Sequence, residues 1–315
     1  MKDAIDVIDG VDRKPIDVSR MGVNAFANDS RFGSIPAQYR EVRDTLGLKY
    51  VRVLFAWNDA VQSAKGANIN WSFYDAIADA IPAGVDALVV VTNVPSWMNN
   101  SSNWDDANPR TTFVNEFFRP LVRRYRNNGR IVGYQVWNEP NNTGFSENET
   151  IQVLDSPENY VELLALAYSV VKDISPSKLV LNAATTSINQ NSNNPLDYNR
   201  RIRDAGGFNF LDRFAIHYYG KQYENFIRQG GVKDFLGSVP KQIWITESGI
   251  QGFDKQLAYV EEVWPYLREK IGGLDRIYYY QFTSAASADS AFGLRNLSSE
   301  TPVSDLYVHL RERNG

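Results

Sequence analysis

The sequence predicts a single-domain (β/α)8 barrel, the TIM-barrel arrangement. Three observations lead there. Short apolar runs alternate with amphipathic stretches eight times between residue 21 and the C-terminal end. Several of the runs are almost continuously apolar, as strands buried on both faces of a parallel sheet must be. No Gly-rich turn follows any run, which disfavours the runner-up, an open doubly wound sheet.

The elements follow in order. Residues 21–25 and 50–55 are the first two strands, with a helically spaced stretch, 35–46, between them. A helix over 71–83 has Asn70 as its N-cap. The run Ala-Leu-Val-Val-Val-Thr at 87–92 is the third strand and 111–126 the next helix. The fourth strand, 131–137, ends at Asn138-Glu139-Pro140, where proline stops the ladder. A long helix over 157–174 opens with Ser156 as cap and Pro157 at its first position. Strands at 178–183, 213–217, 242–246 and 276–282 complete the set. Helices at 196–204, 224–236, 254–271 and 304–313 alternate with them. The barrel is thus expected over 21–315, preceded by an N-terminal extension, 1–20. The Asn- and Ser-rich stretch 185–195 follows the fifth strand, so it is expected as a loop on the working face.

Composition narrows the function. The chain has 315 residues, 43% hydrophobic and 22% charged, and a net charge of −4. No basic footprint of a nucleic-acid binder is present. Cysteine is absent and there are two histidines, His217 and His309, so thiolate chemistry and His-rich metal centres are excluded. No His/carboxylate cluster is expected to reach three ligands, and neither metal nor cofactor is called for. No apolar run is long enough for a membrane helix. The acidic start, with Asp3, Asp6 and Asp9, is not a signal peptide. The compartment stays open; if a leader was removed, the chain is expected to be extracellular or periplasmic. Asn-x-Ser/Thr triplets at Asn28, Asn99, Asn100, Asn141, Asn148 and Asn296 are too common by chance to carry weight. Aromatic residues make up 13%; most are expected to pack the core.

In such a barrel, chemistry sits where strands end. Glu139 ends the fourth strand and Glu247 the seventh. These strands are expected to face each other across the opening, letting two carboxylates meet over one small molecule. Paired carboxylates flanking a bond are what glycoside hydrolysis needs, one protonated and one ionised.

Val136-Trp137-Asn138-Glu139-Pro140 and Trp244-Ile245-Thr246-Glu247-Ser248-Gly249 resemble the acid/base and nucleophile motifs of clan A glycoside hydrolases. The resemblance covers nearly the whole chain in order and spacing. It is most like family 39 and its relatives, with family 5 next. It implies a retaining reaction with Glu139 as acid/base and Glu247 as nucleophile. Arg52 would hold the nucleophile ionised, and Asn138 would bond the 2-hydroxyl of the sugar at the cleavage point. His217 and Tyr219, at the end of strand six, would support Glu139 and donate to Glu247 respectively. Many clan members end strand eight with tryptophan; here Gln281 or Phe282 is expected in that place. Trp57, Trp97 and Trp104, in loops after strands two and three, are expected as sugar platforms. Trp137 and Trp244 are expected in the core, Trp71 and Trp264 against helices, and His309 on the surface.

The expected partner is an oligo- or polysaccharide, bound by a monomer. Many family 39 enzymes add a β-sandwich after the barrel; this sequence stops after the eighth helix, and a bare barrel suits endo cleavage of a β-linked polymer. An exo-β-glycosidase, with loops 140–155 and 185–196 walling one end, a transglycosylase using the same residues, and a non-catalytic carbohydrate-binding barrel are the alternatives.

Overall fold

The computed structural model describes residues 11–25, 29–287, 289–297 and 300–314. The first half of the N-terminal extension and Asn28 lie outside the described residues. Eight parallel strands form one sheet: β1 (Met21–Asn24), β2 (Tyr50–Ala56), β3 (Asp86–Thr92), β4 (Ile131–Val136), β5 (Leu179–Asn182), β6 (Phe214–Tyr219), β7 (Ile243–Gly249) and β8 (Leu274–Tyr279). Their order around the ring is β5-β4-β3-β2-β1-β8-β7-β6. All eight predicted strands are present, within a few residues of their expected ends.

The ring closes between β5 and β6 by unusual means. A single isolated bridge, Leu181 to Arg213, joins the two strands. The amides of Asp212 and Arg213 reach the Val180 carbonyl at 2.8 and 3.4 Å, and side chains supply further rungs. Asn182 accepts from the Ala215 amide at 2.7 Å and donates to its carbonyl at 3.0 Å. The Asp212 carboxylate accepts from the Val180 amide at 2.8 Å. A ladder bond missing from one seam is thus offset by buried amide and carboxylate groups, as buried backbone polarity demands.

Apolar side chains fill both layers. Inside the ring, Leu88, Leu181, Ala184, Ala215, Trp244 and Tyr278 form a plug. Gly22 leaves room for it, since a Cβ there would run into the Tyr278 ring. Arg276 lies against this plug, its guanidinium 3.5 Å from the Tyr50 ring centre and 4.1 Å from that of Trp244. Outside the ring, strands and helices share a second, larger core. Ser156 caps Pro157–Ile174 by accepting from the Asn159 amide, as its position predicts. The helix expected over 224–236 is two short helices, Tyr223–Ile227 and Val232–Gly237. Gly230, at φ 65°, and Gly231 stand between them. Glycine in a left-handed turn ends a helix more readily than it continues one.

Candidate active site

The site is built on the C-terminal strand ends from residues whose geometry the strands enforce. Arg52, on β2, points into the ring and is 1% exposed. Each nitrogen of its guanidinium donates. Nε donates to Gln135 Oε1 at 2.7 Å, and Nη2 to Asn138 Oδ1 at 2.7 Å. Nη1 donates to Asn24 Oδ1 at 2.8 Å and to Glu247 Oε1 at 2.6 Å. One planar cation therefore ties together β1, β4 and β7 and fixes the orientation of Glu247.

Glu247 reaches the cleft because β7 is irregular. Ile216 pairs with Ile245, but the next residue, His217, pairs with Glu247 rather than Thr246. The extra residue lets two consecutive side chains reach inward. Thr246 Oγ1 accepts from Gln135 at 3.2 Å while Glu247 meets Arg52. Re-aiming a side chain is what a bulge does. Tyr219 donates its hydroxyl to Glu247 Oε2 at 2.8 Å. Burial, then the Glu247 charge, push that phenol well above its ordinary pKa, so it stays a donor.

Glu139 stands just past β4 on strained backbone, with φ 41°, and Trp137 before it has φ 74°. Positive φ at non-glycine residues persists only where surroundings over-determine it. Here Asn148 does so. It accepts from the Trp137 indole at 2.7 Å and donates to the carbonyls of Glu139 and Asn142, both at 2.9 Å. The Glu139 carboxylate accepts from Asn142 Nδ2 at 2.7 Å on Oε2 and meets His217 Nδ1 at 3.1 Å on Oε1. Burial raises the Glu139 pKa. The His217 hydrogen bond and charge, the Asn142 amide and Arg52 lower it, and their sum wins, leaving the carboxyl below its ordinary value.

His217 is fully buried and lies between the two acids; its Nε2 is 3.5 Å from Glu247 Oε1. β4 and β7 are separated in the ring by β5 and β6. They are therefore not opposite each other, as the sequence reading supposed, and the intervening β6 supplies the histidine that spans them. Oxygen and nitrogen atoms of Glu139, His217 and Glu247 lie within 4.8 Å of one another. This corrects the expectation that no His/carboxylate cluster reaches three ligands. The Arg52 guanidinium on the same Glu247 oxygen opposes a cation there.

Arg52, Glu139, Tyr219 and Glu247 line a cleft of about 430 Å³ with Leu54, Val90, Thr92, Asn93, Trp137, Asn138, Phe145, Glu147, Asn148 and Tyr280. That volume lies in the range of ordinary small-molecule sites. The tryptophan platforms are a correction. Trp57 is fully buried, stacked on Phe117, and gives its indole hydrogen to Gln62. Trp97 and Trp104 donate to the carbonyls of Gln62 and Met98 and do not line the cleft. Their N–H groups found backbone carbonyls, and the Trp97 ring packs edge-on against buried Trp57. Gln281 is a second correction: neither it nor the buried Phe282 lines the cleft, and Tyr280 does. Burial and the Glu247 charge push the Tyr280 phenol up to about 12. Strand alternation could have found it, since Tyr278 already points inward and the next inward residue is Tyr280. Phe145, Glu147 and Asn142 carried no comparable signal.

A family model for cellulases of glycosyl hydrolase family 5 matches residues 12–279. The chain belongs to glycosyl hydrolase family 5. The clan resemblance holds, with the match falling on the second of the two families named. The fold is similar to that of a family 39 glycoside hydrolase from Bacteroides cellulosilyticus WH2. The TM-score is 0.66 at 19% identity, over 95% of this chain and 63% of that one. This family 5 chain thus spans less than two thirds of that structure's length. It is also similar to a monomeric beta-xylosidase from Caulobacter crescentus CB15, with TM-score 0.66 and 17% identity over 97% and 69% of the two chains. The catalytic domain of the major endoglucanase from Xanthomonas campestris pv. campestris gives TM-score 0.59 and 17% identity over 92% and 93%. No curated protein matches the sequence.

Proposed function

We propose that this family 5 hydrolase is retaining and cleaves a β-linked polysaccharide internally. The observation that carries the mechanism is the proximity of the two carboxylates. An oxygen of Glu139 lies within 4.8 Å of an oxygen of Glu247. Retaining enzymes hold their carboxyl groups about 5–5.5 Å apart, whereas inverting ones leave about 6.5–9.5 Å for a water.

Glu247 attacks the anomeric carbon as Glu139 gives its proton to the departing glycosidic oxygen. Glu139 then takes a proton from water, whose oxygen displaces Glu247 from the sugar. Arg52 and Tyr219 each hold one Glu247 oxygen and aim the carboxylate. Arg52 fixes Asn138 Oδ1, which leaves the Asn138 amide hydrogens to meet a sugar hydroxyl. In the free site Glu139 is held as an anion. A sugar ring that displaces water strengthens the burial effect that raises its pKa, and so favours the acid it must become.

The cellulase family model and the likeness to an endoglucanase support internal cleavage. Phe145 and Tyr280 supply the aromatic surface. A polymer too large to cross a cell envelope puts the work in an extracellular or periplasmic space.

The test is Glu247→Ala on an activated aryl β-glycoside. Turnover is expected to fall by about 10⁴–10⁶-fold, and azide to restore part of it with inverted product. A folded variant that azide does not rescue would reassign the nucleophile. Product sizing on β-glucan, xylan, mannan and galactan reads the cleavage mode: mixed short oligomers support internal cleavage, and monomer alone refutes it.

A further inference from the structure

The cleft holds a third carboxylate that the two-step reaction does not use. Glu147 lies on the short helix Ser146–Thr150, half-buried, and lines the same cavity as Glu139 and Glu247. Asn93, just past β3 at φ 66°, donates from Nδ2 to Glu147 Oε1 at 2.9 Å. Among the described residues no ion pair and no other side-chain hydrogen bond reaches Glu147. Its Oε2 therefore keeps its lone pairs for an incoming group. The exposed ring of Phe145 lies two residues away in the same wall.

The charge balance gives this oxygen a meaning. Glu139, Glu147 and Glu247 line the cleft, and Arg52 is the one arginine or lysine among the described residues that do. All of Arg52's nitrogens already donate, to Gln135, Asn24, Glu247 and Asn138. A sugar bearing a carboxylate would find the one lining cation already paired with Glu247 and would face the Glu147 charge across a half-buried wall, where screening by water is weak. A sugar hydroxyl would find a charged acceptor, which bonds about twice as strongly as a neutral one.

We infer that Glu147 is a specificity-determining residue: it accepts a hydroxyl of an uncharged sugar unit and rejects units carrying a uronic acid. The inference rests on the glycosidase reading above and adds its substrate class. If Glu147 only held Asn93 in place, glutamine would do as well, because its Oε1 accepts the same hydrogen bond.

The test compares wild type with Glu147→Gln on three probes: cellotetraose, mannotetraose and a β-1,4-linked tetraglucuronate. Initial rates and titration calorimetry are both read. Wild type is expected to favour a neutral tetramer over the uronate by about 100-fold. Glu147→Gln is expected to raise KM for the neutral tetramer about fivefold with kcat within about twofold, and to shrink the preference about tenfold, as expected for loss of a charged partner. An unchanged KM and an unchanged preference in Glu147→Gln would overturn the inference, as would a wild type that favours the uronate. If wild type cleaves no probe, the glycosidase reading fails for these backbones, and calorimetry decides the inference separately. A neutral-over-uronate binding preference that shrinks in the variant upholds it; equal binding, or none, overturns it.

Discussion

Two arginines lie inside one ring of strands and are held in opposite ways. Arg52, toward the C-terminal end, gives each nitrogen to an oxygen and has a carboxylate within 2.6 Å. Arg276, among the residues of the inner plug, is gripped by the faces of Tyr50 and Trp244 and reaches one hydroxyl, that of Tyr278, at 3.3 Å. Directional bonds fix where the first cation and its partners point. Ring faces fill space around the second and set direction loosely. The same residue type thus serves geometry at one level of the barrel and packing at another, which agrees with chemistry at strand C-termini and stability below them.

Four substitutions break or sharpen this contrast. Arg52→Met should cut kcat/KM by about 10²–10³-fold, as loss of a preorganised charged donor does. Tyr219→Phe removes one hydrogen bond to a charged group and should cost about 10–100-fold in kcat/KM. Arg276→Met should leave turnover within about twofold while lowering stability by about 2 kcal/mol in a denaturant titration. If it cuts turnover as deeply as Arg52→Met, the contrast between the two levels is wrong. Asn142→Ala should change rate least and act on pH. It removes a donor to ionised Glu139, so the pKa of that carboxyl rises and the alkaline limb of kcat/KM moves to higher pH. The sign for stability follows. A carboxyl held below its ordinary 4.5 stabilises the fold above that value, and the contribution is lost as pH falls through the lowered one. Asn142→Ala should therefore flatten the acid limb of a stability–pH curve, and a steeper limb would contradict the role given to Asn142.

The sequence was readable where one physical demand dominates. Buried parallel strands must be apolar, so 87–92 and 242–246 announce themselves. Acids at strand ends stand out against such runs, as Glu139 and Glu247 do. Loop tryptophans were misread because an indole serves a sugar or a turn equally well in composition. Trp57, Trp97 and Trp104 each have a donor and a large apolar face, and each gives its donor to a nearby loop residue, Gln62, Gln62 and Met98 respectively. The bulge that sets Glu247 beside His217 has no signature in residue order, since it is a register shift between strands distant in sequence. Glu147 was unreadable for a related reason: its role comes from a neighbour, Asn93, on another loop.

The seam between β5 and β6 has a consequence for how the barrel comes apart. Where seven joints are laced by backbone ladders, this one has a lone bridge, two amides on one carbonyl and the side chains of Asn182 and Asp212. Amide protons flanking it should exchange with deuterium earliest among the inner strands. A chain cut in the loop between them would yield pieces that meet again along the β1–β8 ladder and need only this weaker joint besides, making it the natural place to divide the protein into complementing fragments.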